Sequence, residues 1–557
     1  MADQVAGSKT YIFEHSSLGK LSGIITSDCD DVVQFRAVPY ATLLGRFKHS
    51  VIRDSLDGTS RDFTKPGFAC PQTLFIDDIH SGGPYPGAES TKISEYDSLI
   101  LQVNVPLSQL ESLTTASQSP AEASRLPVLT YIHGGGFIIG KIDTHHNPAY
   151  ITQHSIAISQ PLITTSIQYR VGALGFMASP DGSKNFGLYD QRNALLWIRR
   201  FIEGFGGDSN RMTVFGESAG GYSICLHMLG HQPKEGPLFH RAIIMSGILG
   251  PIVAPQPEDE AGEVLGKILD SLDIKERGDA ALEKLQSLDV QKLVDASDSW
   301  IGKGNTWPPI EDSDWFKEKV TWDKVPELLG KCEWVDELVI GNTGFEGAAF
   351  PSVANDVTPQ IFHDHIAKQM SREAAKKTMD AYEMTLDMDQ NKFLTPAMRW
   401  CGDVCFDTPI EAACRYLSTQ TSKRVYRYIF DVRNPFPNAP YYQQPHHWVD
   451  VYFVFRTLQF RYPHSYLKDI SDKHAQLWVE FARGKAPWST YDFRNGVEDA
   501  VIMVADDRDG WVERTQKEHE RVSVTRFERL AKLWEIWGEK KGQKFLPLDI
   551  AGLKKDD

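Results

Sequence analysis

The sequence predicts an α/β protein with a large, mostly parallel central sheet that is flanked by helices. Short apolar runs of strand type alternate along the chain with segments that carry apolar residues at helical spacing. This alternation is typical of parallel sheets, because two parallel strands must be joined by a crossover connection. Hydrophobic residues make up 41% of the chain and charged residues 24%, which is ordinary for a globular protein.

The predicted elements start with a region of about ninety residues that is rich in strand and turn signals. The predicted strands that follow are Leu99–Val105, Val128–Ile132, Ile163–Ile167, Met212–Phe215, Glu337–Ile340 and Val425–Phe430. The predicted helices are Leu188–Ile202, a segment around 264–272 and a last helix over about 525–537. At the start of the last helix, Thr525 and Glu528 have the spacing of a capping box.

Charge and sequence signals restrict the classes of partner. With 74 acidic against 59 basic residues, the net charge of −15 disfavours nucleic-acid binding. No run of about 18 apolar residues occurs, so we expect no membrane span. The N-terminus has no secretory pattern and no Asn-x-Ser/Thr sequon occurs, so we expect a cytoplasmic protein. Cys401 and Cys405 lack a second pair of ligands, so we expect no metal, and we expect no cofactor.

A candidate nucleophile lies in residues 216–220, which read Gly-Glu-Ser-Ala-Gly between a predicted strand and a predicted helix. Glycines on either side of Ser218 allow a tight turn that lifts the serine Oγ out of the sheet toward a cleft. The N-terminus of the following helix favours the negative charge that develops there. The alternative is a glycine-rich turn with an ordinary surface serine.

A candidate oxyanion hole follows the predicted strand Val128–Ile132, where residues 133–137 read His-Gly-Gly-Gly-Phe. Acyl transfer forms an oxyanion that needs N–H donors at hydrogen-bond distance. Consecutive glycines let the backbone approach a substrate closely. The expected donors are the N–H groups of Gly135, Gly136 and Ala219. A phosphate-binding loop fits poorly, because no Gly-Lys-Ser/Thr follows.

With these two motifs in this order, the chain resembles the type-B carboxylesterases, the cholinesterase-like branch of the α/β-hydrolase superfamily. The resemblance spans about residues 20–540 and is most specific from 126 to 250, where residues 205–221, which read FGGDSNRMTVFGESAGG, look like the serine signature of the family. Further similar blocks are FRAVPYA (35–41), CPQ (70–72), YRVGALGF (169–176), GLYDQRNALLW (187–197), FHRAIIMSG (239–247) and WVEFARGKAPW (478–488). The resemblance implies an α/β-hydrolase fold with helical insertions around an active-site gorge. It also implies that Glu217 and Ser246 line or support the site.

The acid of a catalytic triad is expected between the serine and the histidine in chain order. Glu346 follows the predicted strand Glu337–Ile340 and matches the acid position of the family that the chain resembles. Asp312 and Glu311 are lesser candidates.

The base is expected in the segment Pro445–Phe455, which resembles the family's histidine block. Counting back three residues from Asp450 selects His447, with its neighbour His446 as the alternative. Trp448 occupies a position where the family has glycine, so a bulky ring beside the base is expected to narrow the pocket or shift the loop.

These motifs predict a serine esterase that cleaves a small organic ester or lactone through an acyl-enzyme intermediate. A transacylase, thioesterase or amidase with the same triad is the alternative, and a non-catalytic binding protein on this fold is a remote one. The expected partner is a small-molecule ester, and a homodimer is a candidate assembly.

The domain organisation follows from the spacing of the triad. Ser218, Glu346 and His447 are separated by 128 and 101 residues, so one continuous fold must bring them together. We therefore expect residues 1–557 to form one domain with insertions at about 105–126, 255–335 and 355–420.

Cysteine usage supports the expected compartment. The resemblance implies a disulfide partner for Cys70 at a position that Ser98 occupies here. Loss of that partner agrees with a reducing environment.

Overall fold

The computed structural model describes residues 7–73, 80–88, 90–115, 124–349 and 357–543. Within these residues, twelve strands form one hydrogen-bonded sheet with the spatial order β1-β2-β3-β4-β6-β5-β7-β8-β9-β10-β11-β12. Their bounds are β1 Lys9–His15, β2 Gly19–Thr26, β3 Cys29–Pro39, β4 Ile100–Pro106, β5 Leu126–Ile132, β6 Ile163–Ile167, β7 Gly207–Glu217, β8 Arg241–Met245, β9 Glu337–Thr343, β10 Arg424–Phe430, β11 Val501–Asp506 and β12 Gly510–Thr515.

The direction of the strands defines the edge at which a site can form. Strands β5 to β11 run parallel to one another. Strands β1 to β4 and β12 pair antiparallel with their neighbours. Because the carboxyl ends of parallel strands meet at one edge of a sheet, the residues that follow β5, β7, β8 and β9 lie close together there.

Helices connect and cover the strands. Their bounds are α1 Leu107–Thr115, α2 Ala149–Ala157, α3 Gly172–Phe176, α4 Phe186–Phe201, α5 Ala219–Leu229, α6 Glu258–Ser271, α7 Asp279–Ser287, α8 Val290–Gly302, α9 Val325–Gly330, α10 Pro359–Gln369, α11 Arg372–Ala381, α12 Gln390–Gly402, α13 Thr408–Gln420, α14 Val451–Val454, α15 Tyr466–Ala482, α16 Gln516–Val522 and α17 Phe527–Trp537. Helices α6 to α9 occupy most of the segment 255–335, and α10 to α13 occupy most of the segment 355–420. Of the segment 105–126, residues 116–123 lie outside the described residues.

The sheet is buried on both faces, as its continuous apolar strands predict. Side chains of a strand alternate between the faces, so neighbouring residues enter different cores. In β8, Ala242 and Ile244 belong to one apolar cluster, whereas Ile243 and Met245 belong to the other. The predicted mostly parallel sheet covered by helices is therefore confirmed.

Most predicted elements are present, and several extend beyond their predicted ends. The strand predicted over Glu337–Ile340 continues to Thr343, and the helix predicted over Leu188–Ile202 is α4. The capping box predicted at Thr525 and Glu528 is wrong. Instead, α17 starts at Phe527, whose N–H donates to the Glu520 carboxylate at 2.8 Å, so a side chain of the preceding helix α16 takes the place of the cap.

Candidate active site

Ser218 lies at a sharp turn between β7, which ends at Glu217, and α5, which starts at Ala219. Its backbone has a φ of +56° and a ψ of −120°. Such a conformation in a residue other than glycine costs about 1–3 kcal/mol and must be held by its surroundings. The Ser218 N–H donates to the carbonyl of Met245 on the adjacent strand β8 at 2.9 Å, which fixes the turn against the sheet.

The two glycines of the Gly-x-Ser-x-Gly motif are required by close backbone contacts. A Cβ added to Gly220 would lie 2.1 Å from the carbonyl oxygen of Ile132. A Cβ added to Gly216 would lie 2.6 Å from the carbonyl carbon of Gly220. The motif therefore brings α5 against the end of β5, where the glycine loop begins.

The loop of residues 134–136 leaves the end of β5 beside Ser218. Gly135 and Gly136 have φ values of +100° and +63°, which favour glycine. The Gly135 carbonyl accepts the N–H groups of Ile138 and Ile139 at 2.9 and 3.1 Å, so the loop is closed on itself. Ala219 is the first residue of α5, where an N–H group has no acceptor within its own helix. The structure thus brings the three predicted donors to the same end of the sheet as Ser218.

His447 and Glu346 are in direct contact. The Nδ1–H of His447 donates to Oε2 of Glu346 at 2.5 Å. The other carboxylate oxygen, Oε1, accepts the Ser246 hydroxyl at 2.6 Å and the Thr343 N–H at 2.7 Å. Ser246 and Thr343 lie at the carboxyl ends of β8 and β9, so two adjacent strands fix the orientation of Glu346.

The charge state of Glu346 follows from these partners. Burial raises the pKa of its carboxyl, but the nearby His447 and the hydrogen bonds from Ser246 and Thr343 outweigh burial. Together they hold the pKa below its ordinary value. Glu346 is therefore ionised at neutral pH and can hold an imidazolium.

Glu217 and Asp450 are buried carboxyls whose pKa values are raised, in contrast to the lowered pKa of Glu346. Burial raises the pKa of Glu217 well above its ordinary value, and the charges of Asp450 and Glu346 add to the effect. Burial and the charge of Glu346 raise the pKa of Asp450 to about 7, although its Oδ2 accepts the Tyr428 hydroxyl at 3.0 Å. Oε1 of Glu217 lies 3.1 Å from Nε2 of His447 without the alignment of a hydrogen bond. Burial therefore favours the protonated form of Glu217, which lies beside His447.

The alternative acid and base candidates have other partners. His446 is buried, with Nδ1 on the carbonyl of His447 and Nε2 3.3 Å from the Asn434 amide nitrogen. Burial lowers its pKa to about 4. The carboxylate of Asp312 accepts hydrogen bonds from Asn185 and Tyr189, and Glu311 pairs with Lys319 at 3.7 Å.

Trp448 has an uncommon backbone conformation for a large residue, with a φ of +80°. It is the third residue of a turn that the Val449 N–H closes on the His446 carbonyl at 3.0 Å. Turns of type II need a positive φ at this position and favour glycine there. A side chain at this position costs about 1–3 kcal/mol, so the turn that carries His447 is strained.

Phe406 is a neighbour of His447 that the sequence did not reveal. It lies in a π-helical turn over Asp403–Asp407, between α12 and α13. Its ring stacks on the His447 imidazole, with centroids 4.3 Å apart and an angle of 20° between the planes. No local motif marks Phe406, because the contact joins elements that are far apart in the chain.

Ser218, His447 and the glycine loop line a single cavity of about 510 Å³, within the usual range for small-molecule sites. Its apolar walls include Tyr131, Ile139, Trp448, Val451, Tyr452 and Leu458, and its polar groups include Gln72, His80 and Lys141. Phe137, the residue that follows the glycine loop, packs in the apolar core. Across the described ranges, no cluster of three or more His, Cys, Asp or Glu side chains is arranged to hold a metal ion. Nor does any helix there have the length and apolar character of a membrane span.

Known proteins that are similar to this chain include a lipase, a hydrolase and an esterase. The model of the carboxylesterase family matches residues 12–528. The chain is 26% identical to Lipase 3 of Yarrowia lipolytica, over 84% of this chain and 88% of that protein. It is 28% identical to phenmedipham hydrolase of Pseudarthrobacter oxydans, over 92% and 98%. The solved structure of a PNB esterase superposes with a TM-score of 0.70 at 25% identity and covers 94% of this chain and 100% of that one.

An α/β-hydrolase sheet with a serine at a strand-to-helix turn defines a serine hydrolase. The chain belongs to the carboxylesterase family. It is a carboxylic ester hydrolase, and its reaction passes through the acyl-enzyme intermediate that is general for the family.

Proposed function

We propose that Ser218, His447 and Glu346 are the nucleophile, base and acid of this esterase and that the substrate is a small organic ester or lactone. The observation that carries the proposal is the 2.5 Å hydrogen bond from His447 to Glu346, with His447 and Ser218 lining one cavity. The carboxylate holds the imidazole in the tautomer that leaves Nε2 free to accept a proton.

In the proposed reaction, Nε2 of His447 takes the proton of the Ser218 hydroxyl while Oγ forms a bond to the ester carbonyl carbon. The carbonyl π electrons move to the oxygen, which accepts the N–H groups of Gly135, Gly136 and Ala219. The C–O bond to the alcohol then breaks, and the alcohol leaves with the proton from His447. A water molecule repeats these steps on the acyl-enzyme and releases the acid and Ser218.

Two further residues support this site in the proposal. Ser246 orients Glu346 through the 2.6 Å hydrogen bond. Glu217 is fully buried beside Nε2 of His447, where burial raises its pKa and favours the neutral form. The cavity of about 510 Å³ suits a small ester, since pockets of this size bury ligands of drug size or smaller.

Turnover of 4-nitrophenyl acetate by the whole chain tests these roles. Ser218→Ala and His447→Ala should each lower kcat by about 10⁴-fold or more, because members of a triad act as a unit. His446→Ala is the matched control, and we expect it to keep most of the activity. Full activity in Ser218→Ala, or loss in His446→Ala with retention in His447→Ala, would refute the assignment. Adding an alcohol or amine acceptor and identifying the products separates hydrolysis from acyl transfer.

A further inference from the structure

The ring of Trp448 borders the place where the ester group must lie. A Cβ added to Gly134 would come 2.8 Å from Cζ3 of Trp448, so the edge of the indole lies against the first glycine of the oxyanion loop. Gly134 precedes Gly135, and consecutive Cα atoms are about 3.8 Å apart. Trp448 also follows His447 directly in the chain, and it lines the same cavity as Ser218. The ring is therefore close to the reacting carbonyl rather than to a distant part of the cavity.

The ring is also held in place on its other side. It meets the imidazole of His146 edge to face, with centroids 5.3 Å apart and an angle of 82° between the planes. Nδ1 of His146 is 2.8 Å from the Asp143 carboxylate, which pairs with Lys141 at 3.0 Å. Trp448 thus packs between the glycine loop and a histidine that is itself fixed, and it forms a rigid wall.

The backbone at Trp448 shows that the ring is not needed for the turn. A φ of +80° at the third turn position favours glycine, and a turn with glycine would position His447 without strain. The large side chain is therefore explained by what the ring contacts, which is the oxyanion loop, His146 and the apolar cluster beside the cavity.

We propose that Trp448 is a specificity-determining residue that excludes esters branched at the atom next to the ester linkage and admits unbranched ones. Groups bonded directly to the ester lie within reach of the Trp448 ring, so a branch at that atom collides with the ring. The remainder of a straight chain extends away from it. This inference rests on the proposed roles of Ser218 and His447.

Isomeric substrates test the proposal, because they differ in branching and not in composition. One pair is 4-nitrophenyl pentanoate and 4-nitrophenyl 2,2-dimethylpropanoate. The other pair is butyl acetate and tert-butyl acetate, whose hydrolysis is measured by the release of acid. For each pair, the ratio of kcat/KM for the branched ester to that for the straight ester is measured in wild type, Trp448→Gly and Trp448→Ala. The ratio cancels any general loss of activity that follows from a shift of His447.

We expect the ratio to rise at least tenfold for at least one pair in both variants, since removal of a steric contact near the reacting centre changes selectivity by about 10–200-fold. Trp448→Ala keeps the strained Cβ while Trp448→Gly removes it, so agreement between the two assigns the effect to the ring. Trp448→Phe, which keeps a ring, should give a smaller rise. Ratios within twofold of wild type for both pairs in both variants would overturn the proposal. If Ser218→Ala instead hydrolyses the straight esters as fast as wild type, that result refutes Ser218 as the nucleophile. It does not contradict the proposed role of the Trp448 ring.

Discussion

The buried carboxyl of Asp450 should make stability fall as the pH rises toward 7, and Asp450→Asn should remove that loss. Asp450 is fully buried, and burial together with the charge of Glu346 raises its pKa from 3.8 to about 7. Between these values the folded state keeps a proton that the unfolded chain has released, so the free energy of unfolding decreases with increasing pH. The free energy of unfolding falls by about 1.4 kcal/mol for each pH unit, so it falls by at most about 4 kcal/mol between the two pKa values. About 1.6 kcal/mol of this is already lost at pH 5.

An asparagine has the same shape as the protonated acid and can still accept the Tyr428 hydroxyl through its carbonyl oxygen. The variant and wild type should therefore be nearly equal in stability near pH 4. The advantage of Asp450→Asn should grow up to pH 7 and remain constant above it. Thermal midpoints, recorded at one scan rate between pH 4 and 8, should separate by a few degrees at the upper end. Asp57→Asn, at a side chain that is 83% exposed, serves as the control and should show no such trend. A difference between Asp450→Asn and wild type that is the same at pH 5 and pH 8 would refute the reasoning.

Two further substitutions test how the site is built. Ser246→Ala removes one of the two donors to Oε1 of Glu346. It should lower kcat by about 10- to 100-fold with little change in KM, because a hydrogen bond to a charged group contributes about 1.5–3 kcal/mol. An unchanged kcat for 4-nitrophenyl acetate would contradict the role of Ser246. Gly220→Ala places a Cβ 2.1 Å from the Ile132 carbonyl and should lower the yield of folded protein or the thermal midpoint strongly. Gly262→Ala is the matched control, because a Cβ added to this helical glycine has no atom within 4 Å and alanine is the better helix former. Equal thermal midpoints for the two variants would argue against a steric requirement at Gly220.

The parts of the site that the sequence predicts are those fixed by local backbone geometry. Gly216 and Gly220 are needed by contacts within one strand-to-helix turn, and the glycine loop directly follows β5. Such constraints appear as short motifs because the residues that satisfy them are close in the chain. The fold class could be predicted for the same reason, since alternating strands and helices are a local pattern.

The parts that the sequence does not predict depend on contacts between distant elements. Phe406 reaches the His447 imidazole from a π-helical turn, and nothing in residues 403–407 indicates where that ring points. The start of α17 also depends on how two helices are placed, because the Glu520 carboxylate of the preceding helix α16, rather than Thr525, accepts the first N–H group. Trp448 was visible as an unusual residue beside the base, but its contact with Gly134 required the folded chain.

Glu217 and Glu346 show why residue type alone does not assign charge in this site. Both are fully buried and both lie within 3.1 Å of the same imidazole, on opposite nitrogens. Glu346 accepts hydrogen bonds from Ser246, Thr343 and His447, which hold the pKa of its carboxyl below the ordinary value, whereas Glu217 has no aligned donor on its carboxyl group and burial raises its pKa. The hydrogen-bond donors around each carboxyl, and not the residue type, therefore decide which of these two buried glutamates favours its ionised form.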